Sequence, residues 1–344
     1  MSALGFQFGT TAEGAVINPS KEQDSVVVST CFLEGDRPLC RGTGLAAALR
    51  DTLSPVSVVR EMEPLARRTT LRVGGAATVW LEPAHEADLA AALVAARLHR
   101  QPVFLLGRGS NLVVRDGGIP GLVVCLSPPT FSALTVEGDR LRCGAGARLK
   151  DVANIARRAG LAGFEFLDGI PGSVGGGLRM NAGAMGGWMF EFVEWVRLME
   201  PDGQILTLPA SEIAAEYRSC PRLRTAVALA AVLRGKPGDP DAIKASMDRN
   251  NARRWESQPS QPSAGCIFKN PGPELSAGRL LDELGLKGLK RGQAMVSDVH
   301  ANFIVNLGGA SAGDVLGLIE EVSDRVRCAR GIELQTEVEI VGRD

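Results

Sequence analysis

Gly169-Ile170-Pro171-Gly172-Ser173-Val174-Gly175-Gly176-Gly177 opens the densest glycine run of the chain, which extends to Gly187. Glycine lacks a Cβ, so such a stretch lets backbone N–H groups come close to an anion. It also permits the positive φ angles that aim successive amides at one point. Two further stretches share the property, Gly107-Arg108-Gly109-Ser110-Asn111-Leu112 and Gly144-Ala145-Gly146-Ala147. Any one of them alone reads as a tight turn between strands. Together in one domain they point to a long ligand that carries a diphosphate. The two familiar nucleotide motifs are missing. No lysine follows these glycines at P-loop spacing. Leu112 and Leu149 stand where a dinucleotide-binding Rossmann turn would need its third glycine.

The flanks of these loops alternate strand and helix. Leu71-Arg72-Val73-Gly74-Gly75 leads into a strand at Val79–Leu81, and His85 to Arg100 carries Leu89, Leu93 and Ala96 on one helical face. Val103–Leu106 is a short apolar strand that runs straight into Gly107. Leu122–Leu126 is another strand, and Leu134 to Cys143 a hairpin about Glu137-Gly138-Asp139. Lys150 to Ala159 is a helix with Val152, Ile155, Ala156 and Ala159 inward and Gly160 as its stop. Pro201-Asp202-Gly203 predicts a second hairpin between Phe192–Met199 and Gln204–Leu208. Gly235-Lys236-Pro237-Gly238-Asp239-Pro240 has linker composition. Beyond it come helices at Asp241–Trp255, Ala277–Leu284 and Gly313–Ala329, and strands at Ala301–Asn306 and Glu337–Val341.

The composition excludes several classes. With 45% hydrophobic and 22% charged residues over 344 positions, the chain can bury ordinary cores. Lys plus Arg (38) nearly cancel Asp plus Glu (39), so no net field favours nucleic acid or an anionic membrane, and an anionic ligand must be held by local groups. Cysteines number 7, without C-x-x-C spacing, and histidines 3, which leaves little for a metal site and suits a reducing compartment. The first twenty residues hold no Lys or Arg, and no window approaches 18 uninterrupted apolar residues. A cytoplasmic protein with no membrane, nucleic-acid or metal partner is the expectation.

Seven segments in order carry a resemblance: Thr70-Leu71-Arg72-Val73-Gly74-Gly75, Leu106–Leu112, Gly169–Gly176, Met180-Asn181-Ala182-Gly183-Ala184, Tyr217-Arg218-Ser219, Pro262-Ser263-Ala264-Gly265-Cys266-Ile267-Phe268-Lys269-Asn270-Pro271, and His300–Asn306. The ordered set, from about residue 60 onward, resembles the UDP-N-acetylenolpyruvoylglucosamine reductase family. The resemblance implies an α+β chain: a two-subdomain FAD-binding fold of the vanillyl-alcohol oxidase (PCMH) type, then an α+β substrate domain. The implied division is an N-terminal extension of weak periodicity over 1–55, an FAD-binding domain over 56–235 with subdomains of about 56–128 and 129–235, and a substrate domain over 236–344. FAD is then held by Thr70, Arg72 and Gly74; by Gly107, Arg108, Gly109, Ser110, Asn111 and Leu112; by Gly169, Ile170, Pro171, Gly172, Ser173, Val174, Gly175 and Gly176; and by Asn181, Gly183 and Ala184.

The implied activity is NADPH-dependent reduction of UDP-N-acetylglucosamine enolpyruvate through FAD, a step in making the cell-wall precursor UDP-N-acetylmuramate. Such chemistry adds hydride to one alkene carbon and a proton to its neighbour, while charge collects on the carboxylate. Arg218 matches the family arginine, and a guanidinium fork suits that carboxylate. Tyr217 beside it is the only tyrosine of the chain and takes a substrate-binding role in the family. Cys266 stands where most of the family carry a proton-donating serine. A free thiol, with pKa near ~8.5, is a stronger acid than an alcohol, so the role can persist. Glu337 matches the C-terminal catalytic glutamate. Strand alternation puts Glu339 on the same face, so the choice between them rests on the resemblance. Arg253, Arg254, Gln258, Lys269 and Asn270 match the stretch that meets the UDP moiety. Met185 stands where many relatives place a tyrosine, and His300 reads as structural. Two rival readings share the scaffold: an FAD-dependent oxidase of a sugar or hydroxy acid, and a non-catalytic flavin or nucleotide-sugar binder.

Overall fold

The computed structural model describes residues 43–272 and 274–344. Residues 1–42 of the expected extension, with Cys31 and Cys40, lie outside the described residues. The remainder of that stretch is a correction. Thr43–Thr52 is a helix that buries Leu45, Ala46 and Leu49 in the same core as Leu89 and Leu93. Its Leu45, Leu49 and Leu53 recur every fourth residue, a helical stripe too short to stand out beside irregular sequence.

The first sheet runs Val58–Pro64, Ala76–Glu82, Ile119–Val124, Val103–Leu105, antiparallel at its first pair and parallel thereafter. The helix Glu86–Leu98 covers one face, with Leu89, Ala92, Leu93 and Ala96 buried. The second sheet is fully antiparallel: Ile205–Pro209, Val193–Met199, Val227–Arg234, Arg140–Gly144, Leu134–Glu137. Both expected hairpins lie in it, turned at Gly138 (φ +62°) and Gly203 (φ +88°). The helix Leu149–Arg158 buries Leu149, Val152, Ala153 and Ala156; Ala159 falls past its end and is exposed, so the inward stripe ends at Ala156.

A third sheet, Ser263–Cys266, Phe303–Asn306, Ala294–Val296, Lys290–Arg291, packs on the helix Ala312–Arg330. That helix starts with Ser311 and Asp314 bonding each other's backbone N–H groups and ends at Gly331 in the left-handed region. The last strand, Glu339–Val341, returns to the first subdomain and pairs in parallel with Leu112–Val114.

The Gly235–Pro240 stretch is not a free linker. Lys236-Pro237 pairs with Leu161-Ala162, and the following helix, Pro240–Ser257, sends Ile243 and Met247 into the first core. Gly and Pro here serve a tight path along the sheet edge rather than a hinge between domains. We propose the boundary after Ser257 instead of at 235/236.

Candidate active site

A cavity of about 810 Å³ opens between the first two sheets. Thr69, Thr70, Arg72, Gly107 and Arg108 line one side, Ala145, Gly146, Ser173, Gly175 and Gly176 the other, and Ser260 and Pro262 approach from the third sheet. The glycines permit this closeness. A Cβ on Gly146 would lie 1.6 Å from the Leu126 carbonyl oxygen, and one on Gly107 2.8 Å from Ser173 Oγ. Among the described residues, the N–H groups of Gly107, Arg108, Gly109 and Ser110 make no hydrogen bond to the protein. Thr69 Oγ1 is buried without a partner. Arg67, Arg68, Arg72, Arg108 and Arg179 border the space. Glu63 neutralises Arg68 (2.6 Å) and Glu339 neutralises Arg179 (2.7 Å). Open amides, an orphaned hydroxyl and surplus guanidinium charge fit a diphosphate-bearing ligand.

Several residues expected to touch that ligand instead build the walls behind it. Gly74 (φ +107°) lets the chain pass Val114, and Gly109 (φ +60°) presses on Arg68 and Thr69 while its carbonyl accepts from Thr70 N–H (3.1 Å). Leu112 is a buried strand residue, and Asn111 Nδ2 donates to the Glu337 carbonyl (3.1 Å). Ser110 is half-buried off the cavity wall. Gly169, Ile170, Pro171, Gly172 and Val174 also stand off the wall. Gly169 lies under the Arg254 side chain, Gly172 accepts from Leu149 N–H, and Val174 belongs to the core. Asn181 has a structural role as well. Its Oδ1 accepts from Phe190 N–H and its Nδ2 donates to the Glu216 carbonyl, both at 3.2 Å, so it ties two loops together. Gly183 and Ala184 form the hairpin strand beside it, and the Gly183 carbonyl accepts from Arg218 Nη1 (3.1 Å).

Three segments distant in sequence converge around Cys266. Glu216 and Ser219 exchange backbone hydrogen bonds, which puts Tyr217 and Arg218 at the tip of a turn with Arg218 at φ +56°. The strand Ser263–Cys266 is fastened to the first cavity by Thr70 Oγ1, which donates to the Ser263 carbonyl (2.7 Å). Asn302 then holds the chain after Cys266 as a neighbouring strand would: Oδ1 accepts from Phe268 N–H (2.9 Å) and Nδ2 donates to its carbonyl (2.8 Å). Glu337 N–H donates to the Ile267 carbonyl (2.7 Å), placing Glu337 beside the Cys266 segment.

Arg218 Nε and Glu337 Oε1 are in ion-pair contact at 2.8 Å, but the N–H is misaligned and stays without a hydrogen bond. Burial pushes the Glu337 carboxyl up, opposed by the charges of Arg218 and Lys269. Burial and then the Glu337 charge push the Cys266 thiol up to about 11, against the pull of Arg218 and Arg254. Arg254 is half-buried and its pKa is lowered by desolvation. Glu339 faces Arg179 instead: the regular strand begins only at Glu339, so alternation does not reach back to Glu337.

A second cavity, about 430 Å³, lies on the other side of Cys266, with Asn270, Lys287, His300 and Asn302 among its walls. His300 has a structural contact, Nδ1 accepting from Asn302 N–H (3.1 Å), yet it also borders this space. Lys287 carries no motif that could have singled it out. Arg253 is exposed, and Gln258 and Lys269 line neither cavity; Lys269 acts through its charge on Glu337. Residues missed in the first cavity include Thr69 and Arg179, which carry no motif signal, while Gly146 lies in the Gly144–Ala147 stretch read as an anion loop.

Residues 77–209 match the family model described as FAD binding domain, and residues 258–341 match that described as UDP-N-acetylenolpyruvoylglucosamine reductase, C-terminal domain. The chain is 44% identical over 284 residues to the UDP-N-acetylenolpyruvoylglucosamine reductase of Heliobacterium modesticaldum, covering 82% of this chain and 90% of that one. With the reductase of Anoxybacillus flavithermus the figures are 43%, 84% and 96%. The solved reductase of Thermus caldophilus superposes with a TM-score of 0.71 at 37% identity, covering 83% of this chain and 99% of that one. An FAD-binding domain whose glycine loops leave open amides, followed by the reductase C-terminal domain carrying Cys266 and Glu337, places this chain in the UDP-N-acetylenolpyruvoylglucosamine reductase family.

Proposed function

We propose that this protein reduces UDP-N-acetylglucosamine enolpyruvate to UDP-N-acetylmuramate in the cytoplasm, with NADPH as the reductant and FAD in the first cavity. The convergence of Arg218, Cys266 and Glu337 beside the strand that Thr70 fastens to the glycine-lined cavity carries this reading. Thr69, Thr70, Arg72, Gly107, Arg108, Ser173, Gly175 and Gly176 are the residues that would hold FAD. When bound, FAD accepts hydride from NADPH and delivers it to the substrate alkene.

The chain's own groups do the rest. The Arg218 fork receives the substrate carboxylate, where negative charge grows as the alkene is reduced. Cys266 protonates the neighbouring carbon. Its raised pKa keeps the thiol in the donor form at neutral pH, and the adjacent cations stabilise the thiolate it leaves. Glu337 holds Arg218 from the far side and sets the local charge. The second cavity, which starts at Cys266 and carries Asn270, Lys287 and His300, is the space into which the nucleotide-sugar portion extends. Arg254, lying over Gly169 and near the thiol, contributes positive charge between the two cavities.

The test is anaerobic stopped-flow mixing of the flavin-loaded protein with NADPH and then with substrate. Rapid bleaching followed by substrate-dependent return of colour is expected. Return with oxygen alone would identify an oxidase, and absence of bleaching a binding protein.

A further inference from the structure

Trp188 has no part in the site as described so far, yet it meets the reacting cation directly. The Arg218 guanidinium carbon lies 5.4 Å from the Trp188 ring centre and 5.4 Å from that of Tyr217. The two rings meet edge to face, 5.6 Å apart at 67°. A Cβ on Gly183 would come within 2.2 Å of the indole, so the ring packs directly on the backbone whose carbonyl accepts from Arg218 Nη1. The Trp188 backbone is held by its main-chain N–H, which donates to Glu191 Oε2 (3.2 Å).

We infer that Trp188 is a positioning residue for Arg218, its indole and the Tyr217 phenol forming a two-walled aromatic slot that sets the plane in which the guanidinium meets the substrate carboxylate. This rests on the proposed reading of Arg218. A cation is attracted to a ring face without giving up a hydrogen-bond donor, so the fork is oriented while its N–H groups stay available. Orientation is needed because Arg218 stands on an exposed turn at a left-handed φ, and its Glu337 contact lacks hydrogen-bond alignment. Without the slot, one carbonyl bond and a misaligned ion pair with Glu337 would be left to fix a long flexible side chain.

The experiment compares the parent with Trp188→Leu, Trp188→Phe and Gly183→Ala in the two separate half-reactions. In the leucine variant, bleaching by NADPH is expected to stay within about twofold of the parent, while colour return with substrate slows roughly tenfold, the cost of misplacing a catalytic group. Phenylalanine, which keeps a ring, is expected to recover most of that loss. Gly183→Ala keeps the indole but displaces it, and carries the same prediction should the leucine variant fail to hold flavin. Colour return as fast as the parent in the displaced or ringless variants overturns the inference. So does equal slowing of both half-reactions, which would mark general distortion. If the parent itself regains no colour with substrate, the functional reading falls and this inference with it, an outcome visible before any variant is made.

Discussion

Around the first cavity, much of the lining is main chain: the open amides of Gly107 and Arg108 and the close walls at Gly146, Gly175 and Gly176. Around Cys266 they are side chains, drawn from a turn at 218, a strand at 266 and an extended segment at 337. The first site depends on what is absent, a Cβ, and tolerates change wherever the missing atom has room. The second depends on a few functional groups that a single substitution deletes. The two regions should therefore fail differently: the cleft by losing its coenzyme, the corner by losing one half-reaction with the coenzyme in place.

The largest expected effect tests the cleft. Gly146→Ala would put a carbon 1.6 Å from the Leu126 oxygen, which only backbone movement can relieve. We expect no flavin retained on purification and at least about 3 kcal/mol of lost stability, since relief requires strain in packed structure. Gly138→Ala is the control. Its φ is positive (+62°), unlike that of Gly146, but a Cβ there would meet nothing within 4 Å, so about 1 kcal/mol is lost and flavin absorbance is unchanged. Equal outcomes for the two would break the claim that close approach, not glycine content, makes the cleft.

Next comes the corner. Cys266→Ala is expected to slow colour return with substrate about 10²–10⁴-fold, the range for general acid catalysis, and Cys266→Ser to stay within about tenfold, both with flavin bound and bleached normally by NADPH. Loss of flavin from either variant would erase the distinction between the regions. The pH dependence sharpens it. A proton donor acts in its protonated form, so with the thiol raised to about 11 the substrate half-reaction should be level from neutral pH through about 9 and fall only toward 11. A falling limb near ~8.5, the ordinary thiol value, would mean that burial does not govern Cys266. The same shift adds a stability term, fully present below the unfolded value and lost as pH rises through 11. Melting temperatures of the parent and Cys266→Ser should therefore diverge only at high pH.

The contrast also explains what could be read in advance. Helices such as Glu86–Leu98 and Ala312–Arg330, and the turns at Gly138 and Gly203, are local: period, caps and turn residues lie within a few positions. The glycine loops announced an anion site as a group, but not which glycine touches it. Gly74, Gly109 and Gly146 all press on neighbouring backbone, but only Gly146 also lines the cavity, and only tertiary approach separates them. Asn181 lies in a motif beside the glycine run, and its sequence gives no hint that its amide also ties Phe190 to Glu216. The domain boundary misled for a related reason: Lys236-Pro237 has linker composition, but a two-residue strand pairing with Leu161-Ala162 is invisible without the partner. Arg218, Cys266 and Glu337 could be named only through the family resemblance, because no spacing links positions so far apart.

The smallest effect separates the two glutamates that strand alternation could not. Glu337→Gln removes the charge facing Arg218 and Cys266, and should slow colour return by about 10²-fold, since it unsettles both the fork and the thiol. Glu339→Gln removes only the partner of Arg179, a pair whose side chains are 21% and 30% exposed. Such a pair contributes up to about 1 kcal/mol, so the loss should show as less than about fivefold in rate and a melting shift of a few degrees. Its direction on coenzyme affinity is opposite in kind. Arg179 borders the first cavity, and freeing it from Glu339 adds positive potential where a diphosphate binds, so FAD should be held slightly more tightly in low salt and no differently in high salt. A weaker hold at low salt would mean that Glu339 orients Arg179 toward the ligand, which would make the cleft depend on a side-chain contact as the corner does.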